Sequence, residues 1–356
     1  MDRAGLETML MNYYRHIDRT KIQFDFLMHR EEPSSYDAEI LSLGGQIYRI
    51  SPITPRNLAT YKRRYEHFFR THTGYRVAHA HMDALSAFPL SAAKHSKVPV
   101  RIAHSHNTGF SPDIKLPIRL IAKRYIPRYA THLFACSNDA SRFMFGPKRA
   151  SRIVENAIEI EKFKYDDRNR KEVRKRHGIS DSSFVIGHVG RFVHQKNQEF
   201  LVEVLNQLKN KDPRLELILI GSGENEARVR NRVVSSGLQQ RVHFVGESNE
   251  VPAYMHAMDM LALPSRYEGL GMVAVEAQAS GLPCILSTNV TRDANVSGAA
   301  EFLDLESTLW ARRILELRAD TRKSWANQVR DAGYDIRDQA QKLETLYRDL
   351  HEIAQR

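Results

Sequence analysis

The sequence predicts an α/β protein built from two doubly wound, Rossmann-like halves. Three observations carry this. Strand-length apolar runs alternate with helical runs through the first ~150 residues, and the alternation restarts near Phe184. Glycines recur where second-half strands should end, at Gly190, Gly221 and Gly246. Finally, Leu261–Ser287 reads as a complete β-turn-α-turn-β unit: an apolar strand, a polar turn with Gly269 and Gly271 flanking Leu270, a helical run closed by Gly281-Leu282-Pro283, and a second strand.

In the first half, Asp2-Arg3-Ala4-Gly5 leads directly into a helical pattern, Leu6–Ile17, so a βα unit without its first strand is expected there. Phe24–Met28, Gln46–Ile50, Arg76–Ala80, Val100–His104 and His132–Cys136 read as strands. Tyr36–Leu43, Leu58–Thr71, Ala84–His95, Ile114–Tyr129 and Asp139–Phe145 read as helices. A boundary falls between 150 and 182, where Val154–Ile158 reads as a short strand and Asn169–His177 as a charged helix. The second half continues with strands Phe184–Gly190, Leu215–Ile220, Val242–Phe244, Met260–Leu263 and Ala300–Leu303. Its helices are Asn197–Leu208, Glu224–Ser235 and Pro252–Ala257. The tail is helical: Leu309–Leu317, Thr321–Gly333 and Ile336–Ile353. The expected domains are residues 1–160, joined by a returning helix at about 336–354, and residues 161–335.

The 356 residues carry a net charge of +11, placed unevenly. Residues 1–150 hold 23 Lys and Arg against 12 Asp and Glu, whereas residues 151–356 hold 30 of each. A basic first half suits nucleic acid, an anionic membrane or an anionic small molecule. No nucleic-acid motif is present, which leaves that partner unsupported. Two cysteines, Cys136 and Cys284, make no disulfide framework, and no apolar run or secretory signal points out of the cytoplasm. Basic helices with interleaved apolar residues at Leu58–Thr71 and Ile114–Tyr129 fit peripheral contact with the inner face of the membrane, or simply core-packed helices with basic outer faces.

Ligands of doubly wound sheets bind beyond the carboxyl ends of strands, so the site residues are sought there. Glu268 lies in the turn after one such strand, with Glu276 inside the next helix. A helix starting near Leu270 would place Glu276 roughly 9 Å along its axis. The bare backbone at Gly269, Leu270 and Gly271 suits an anionic or polar ligand. The plain alternatives are a helix-terminal charge for Glu268 and solvent exposure for Glu276, though the neighbours of Glu276 are apolar. Gly190-Arg191 and Lys196-Asn197 put two cations in the loop before a helix, which suits a diphosphate. Gly221-Ser222-Gly223-Glu224 lacks the three-glycine dinucleotide fingerprint and reads as a wall of the same site. Phe244-Val245-Gly246-Glu247 is placed to contact a base. Ten of the sixteen histidines lie in the first half. His79 with His81, and His104 with His106, stand at strand ends as i, i+2 pairs on one face. Four such histidines could ligate a metal, but no carboxylate clearly completes the set. His106 alone reads better as a hydrogen-bonding residue beside a neutral ligand.

Together these residues resemble the retaining glycosyltransferases of family four, with the two-domain GT-B fold, and within it the bacterial exopolysaccharide and capsule enzymes. The resemblance rests on Gly190-Arg191 with Lys196-Asn197, Gly221-Ser222-Gly223-Glu224, Glu268 with Glu276, Arg101–Asn107, and Gly5-Leu6-Glu7-Thr8 with Met11-Asn12. It implies two Rossmann-like domains facing a central cleft, with the C-terminal helix crossing back. It also implies a nucleotide-diphosphate sugar donor, a UDP-sugar above others, and a saccharide or lipid-linked saccharide acceptor. Arg191 and Lys196 would hold the diphosphate without a metal, Glu276 the ribose, and Glu268 the hexose. His106 would reach the sugar, and the Gly5 loop would close over the phosphates. The family has a strand before that loop, and Ala4 stands where it often has a second glycine. No separate cofactor is expected. Competing readings are a nucleotide-sugar hydrolase or epimerase on the same fold, a non-catalytic nucleotide-binding protein, and, more remotely, a metal-dependent hydrolase using the four histidines.

Overall fold

A computed structural model describes residues 5–54, 56–110, 113–317 and 322–354. The chain divides into two compact units: unit 1, Met1–Ile158 with Asp335–Arg356, and unit 2, Glu159–Tyr334.

Unit 1 runs α1 (Gly5–His16), β1 (Phe26–Met28), α2 (Asp37–Ser42), β2 (Ile47–Arg49), α3 (Leu58–Thr71), β3 (Val77–Ala80), a 3-10 turn, α4 (Ala87–His95), β4 (Val100–Ser105), α5 (Leu116–Tyr129), β5 (His132–Ala135), α6 (Asn138–Phe145) and β6 (Arg152–Ile153). All its strand pairs are parallel. The sequence implied one sheet, but the strands form two, β1-β2 and β3-β4-β5-β6. The expectation of a missing first strand concerns residues 1–4, which lie outside the described residues.

Unit 2 runs α7 (Ile160–Phe163), α8 (Asp167–His177), β7 (Phe184–Val189), α9 (Gln198–Leu208), β8 (Leu215–Ile220), α10 (Glu226–Ser235), β9 (Val242–Gly246), α11 (Val251–Ala257), β10 (Met260–Leu263), α12 (Met272–Ala279), β11 (Cys284–Ser287), β12 (Ala300–Leu303), α13 (Ser307–Leu317) and α14 (Ala326–Val329). One parallel sheet results, in the order β12-β11-β10-β7-β8-β9. Its central strands are mostly apolar on both faces, as a sheet covered on both sides requires: β10 and β11 are buried throughout. The core joins β7, β8 and β10 to α9, α10 and α13 around the buried Trp310.

The last helix, α15 (Ile336–Ile353), belongs to unit 1. Asp335 caps it by accepting from Arg337 N. Ile336, Ala340, Leu343, Leu346 and Leu350, spaced at helical intervals, enter the core that holds Met9, Tyr13 and Tyr14 of α1. The helix expected over Thr321–Gly333 is cut down to α14 and a π turn at Arg330–Tyr334, with Thr321 outside the described residues. Arg322 explains the loss of the first turn. Its guanidinium donates to the carbonyls of Ser280, Met255 and Met258, which holds the chain there in a non-helical course.

A buried ion-pair network fixes the amino-terminal side of the unit 2 sheet. Asp259 accepts from Arg170 at 2.8 Å, from Arg174 at 2.7 Å and from Val185 N at 2.7 Å. Arg174 is fully buried and spends its remaining donors on the carbonyls of Ala257, Ser180 and Ser183. That satisfies the condition under which a buried guanidinium is tolerated.

Candidate active site in unit 2

In unit 2 the chain builds outward from β7 through β8 to β9, then returns to add β10 on the other side of β7. The β7/β10 junction is therefore the topological switch point, the place where doubly wound sheets take their ligands. The loop after β7 holds Gly190–Asn197, and the loop after β10 holds Pro264–Gly271.

These two loops are stitched together. Arg266 N donates to Gln195 O at 2.8 Å, and Gln195 Nε2 returns a bond to Tyr267 O at 2.9 Å. Asn197 Nδ2 donates to Pro264 O at 3.2 Å, and Arg266 donates to Asn197 Oδ1 at 3.0 Å. Between them the Lys196 ammonium donates to the Glu268 carboxylate, which also accepts from Ser265 Oγ at 3.2 Å. Side chains 72 positions apart in sequence thus form one charged pair, with both partners mostly shielded from solvent. Leu270 anchors the second loop by burying its side chain, so only its backbone can serve a ligand.

Helix α12 starts at Met272, two residues later than expected, behind Gly271 at φ +66°. A Cβ on Gly271 would sit 3.2 Å from Glu268 Cγ and 3.3 Å from Leu263 Cδ2, besides needing the left-handed conformation. Among the described residues the N–H groups of Met272 and Val273 find no acceptor, as expected of a first helical turn. Glu276 lies one turn further along α12. Its carboxyl has no hydrogen-bond partner among the described residues, and burial alone pushes its pKa up to about 7.

Arg191 is exposed, with its guanidinium unengaged among the described residues. Its loop is held close to the next one. A Cβ on Gly221 would lie 2.3 Å from Gly190 O, and one on Gly223 would lie 2.5 Å from Phe192 O. Only glycine admits that approach. The loops after β8 and β9 are joined in turn by Gly221 N to Gly246 O at 2.8 Å and by Ser222 Oγ to the Glu247 carboxylate. Phe192 stacks on Phe244 with centroids 6.0 Å apart, and Arg230 covers the Phe244 ring at 4.0 Å.

One residue at this junction escapes the sequence reading. His188, on β7, is fully buried; Nδ1 donates to Ala262 O at 2.9 Å, while Nε2 finds no partner among the described residues. Burial pushes its pKa down to about 4. Its only sequence signal is a polar residue inside the apolar run Phe184–Val189.

Gly5 and His106 belong to unit 1. Gly5 is the first residue of α1 and exposed, and the loop residues before it lie outside the described residues. His106 belongs to a set of four imidazoles at the ends of β3 and β4. The His104 and His106 rings stack at 4.1 Å, as do His79 and His81, tilted, at the same distance. A chain runs from Tyr347 OH to His79 Nδ1 at 2.6 Å and from His79 Nε2 to His104 Nδ1 at 3.1 Å. His81 Nδ1 meets His106 Nε2 at 2.9 Å. Burial depresses all four, His81 to about 3 and the others well below the usual histidine range. Ring nitrogens of His79, His81 and His104 lie within 4.8 Å of one another, the only such grouping with metal-ligand potential among the described residues. No carboxylate joins them, and the nearby Asp83 is engaged by Asn107 Nδ2 at 2.6 Å. The nitrogens of His79 are already committed to Tyr347 and His104, so the set fits a neutral hydrogen-bonded array better than a ligand sphere.

The chain has the GT-B fold of its solved structural neighbours. A profile described as "Glycosyl transferases group 1" matches residues 169–304. The chain is 36% identical over 361 residues to the "Putative glycosyltransferase EpsF" of Bacillus subtilis (strain 168), covering 98% of this chain and 94% of EpsF. The chain therefore belongs to the group 1 glycosyltransferase family. It is 25% identical over 299 residues to the UDP-Gal:alpha-D-GlcNAc-diphosphoundecaprenol alpha-1,3-galactosyltransferase of Escherichia coli, covering 78% of this chain and 76% of that enzyme. Among solved structures, Anabaena HepE in complex with UDP-glucose superposes with a TM-score of 0.79 at 21% identity, covering 96% of each chain.

Proposed function

We propose that this glycosyltransferase moves a hexose from a UDP-sugar, with retention at the anomeric carbon, to a lipid-linked or polysaccharide-precursor saccharide. The observation that carries the reading is the paired Lys196–Glu268 loop system at the switch point of unit 2. The diphosphate sits against the N–H groups opening α12 and the cations Arg191 and Lys196, which neutralise the departing diphosphate in place of a metal. Glu268 fixes the Lys196 ammonium and receives hexose hydroxyls. Glu276, raised and unpartnered, accepts the ribose hydroxyls. His106 donates to the sugar as a neutral imidazole, and Gly246 lies on the wall beside the base. The sugar–phosphate bond loosens first, and the acceptor hydroxyl attacks from the side the leaving group vacates.

Two relatives support the donor and acceptor classes. The E. coli galactosyltransferase uses UDP-Gal and a diphosphoundecaprenol-linked acceptor to make an α-1,3 linkage, and HepE binds UDP-glucose. The basic first half suits a protein working against the anionic inner face of the membrane. No described helix is long and apolar enough to cross a membrane.

The test is a thermal-shift and turnover screen of UDP-, GDP- and ADP-sugars with lipid-linked acceptors, run with and without chelator. Proton NMR reads the anomeric configuration of the product. UDP-sugar turnover to an α-linked product that survives chelation is expected. Free sugar or an isomerised nucleotide sugar without transfer would show a hydrolase or epimerase instead.

A further inference from the structure

Strand β7 is apolar until His188, and the strand register sets what that residue meets. β7 pairs with β10 through Ile186 with Met260 and Gly187 with Leu261, so His188 comes level with Ala262 and donates from Nδ1 to its carbonyl at 2.9 Å. With the proton on Nδ1, as a carbonyl partner requires, Nε2 is a bare lone pair. That atom is buried and has no partner among the described residues. A buried acceptor left unpaired is rare and asks for a reason. His188 has no exposed surface, so a ligand does not reach Nε2 directly, and any partner must be a neighbouring side chain.

Gly190 shows which neighbour. A Cβ there would lie 3.4 Å from His188 Nε2 and 3.3 Å from both Cδ and Cε of Lys196, the three nearest atoms beyond its own chain neighbours. The imidazole and the end of the Lys196 stem therefore flank one gap that glycine leaves open. The gap is held in place, since Gly190 N donates to Ile220 O at 2.9 Å and Gly190 O accepts from Gln198 Nε2 at 3.3 Å. The Lys196 ammonium carries three N–H donors, one of which goes to the Glu268 carboxylate. The two acceptors differ in kind. Glu268 cancels the ammonium charge, whereas a neutral imidazole orients an N–H and leaves the charge available to a ligand. Burial first, and the nearby Lys196 charge besides, keep His188 neutral.

We propose that His188 is a positioning residue for Lys196: when a bound diphosphate draws the ammonium away from Glu268, Nε2 of His188 accepts one of its N–H groups and holds the charge on the phosphates. Only the last bonds of the lysine side chain turn, because Cε already borders the imidazole gap. The same movement leaves the Glu268 carboxylate to the hexose hydroxyls. The inference rests on the proposed meeting of Lys196 with the donor diphosphate, and it adds the residue that steers the lysine.

The experiment is isothermal titration of UDP into the full chain and its variants. His188→Asn keeps an amide N–H for Ala262 O but has no acceptor at the Nε2 position, whereas His188→Gln places an amide oxygen there. His188→Asn should weaken UDP binding about tenfold, and His188→Gln should stay within about threefold of the wild type. In the Lys196→Ala background, His188→Asn should change UDP affinity by less than about twofold, since two residues sharing one contact are non-additive. A purely structural imidazole would cost the same in both backgrounds. As a readout that needs no variant, nitrogen NMR of the wild-type chain with isotopically labelled histidine should show the His188 Nε2 resonance move to lower frequency as UDP is added, the direction of a lone pair taking up a hydrogen bond. Undiminished UDP binding by His188→Asn, an equal loss in both backgrounds, or an unmoved Nε2 resonance would each overturn the proposal. If the wild type binds no UDP, or Lys196→Ala binds it as tightly, the diphosphate reading falls and this inference with it. A loss in Lys196→Ala with none in His188→Asn removes the role of His188 and leaves the diphosphate reading standing.

Discussion

At the ends of β7 and β10 the polar side chains are charged and paired, with Lys196 on Glu268. At the ends of β3 and β4 they are four imidazoles that burial keeps neutral. Both clusters stand where parallel strands finish, yet they are stabilised by different means. The unit 2 loops hold charge because glycine lets backbones approach closely and each loop hydrogen-bonds its neighbour. The unit 1 array holds none; ring-to-ring hydrogen bonds and Tyr347 link its members, while His104 Nε2 and His106 Nδ1 stay without a partner among the described residues.

Breaking the charged cluster should have the largest effect. Arg191→Ala should lower kcat by about 10²–10³ and weaken UDP binding, as loss of a leaving-group stabiliser does, with the fold unchanged by circular dichroism. Glu268→Ala should abolish measurable transfer while the chain stays folded; undiminished turnover would defeat the site assignment.

Next in size is the support beneath unit 2. Asp259→Ala strands Arg170 and the buried Arg174, so urea denaturation should show a loss of about 3–5 kcal/mol. Hydrogen exchange should place the loss in unit 2 and spare the four-histidine strands of unit 1.

The two clusters should also answer pH in opposite directions. Each array histidine is depressed in the fold, so the unfolded chain binds the proton first as pH falls. Its stabilising contribution is complete above pH ~6.5 and fades below that, at up to about 1.4 kcal/mol per pH unit for each histidine. His29 and His188, each pushed down to about 4, act in the same sense. Glu276 is the reverse. Its folded pKa of about 7 exceeds the ordinary carboxyl value of 4.5, so its burial costs stability as pH rises through that window. His81→Gln should flatten the acid limb of the Tm profile. Glu276→Gln should raise Tm at pH 8 yet weaken UDP-sugar binding by roughly tenfold, the trade expected of a strained binding group.

Much of this architecture was legible in local pattern. Leu58–Thr71, Leu215–Ile220, Met260–Leu263, Ala300–Leu303 and Ile336–Ile353 have the bounds read from the sequence, because apolar periodicity and flanking turn residues are local signals. The charged residues proposed for the candidate site, Arg191, Lys196, Glu268 and Glu276, stand out in the sequence because they lie in glycine-marked turns or beside them. What sequence could not show is non-local. The Lys196–Glu268 bond spans 72 positions and the His79–Tyr347 bond 268. The non-helical course at Arg322 depends on carbonyls 42 to 67 residues away, and periodicity carries no trace of them. The division of the unit 1 strands into two sheets is likewise a matter of pairing, not propensity.

The central claim is that the switch-point loops of unit 2 hold a nucleotide diphosphate. Isothermal titration of UDP into the wild-type chain and into Arg191→Ala tests it most directly. A stoichiometric site in the wild type that weakens at least tenfold in the variant, with the same Tm for both unliganded proteins, is the predicted result. Equal UDP affinity in the two proteins would contradict it.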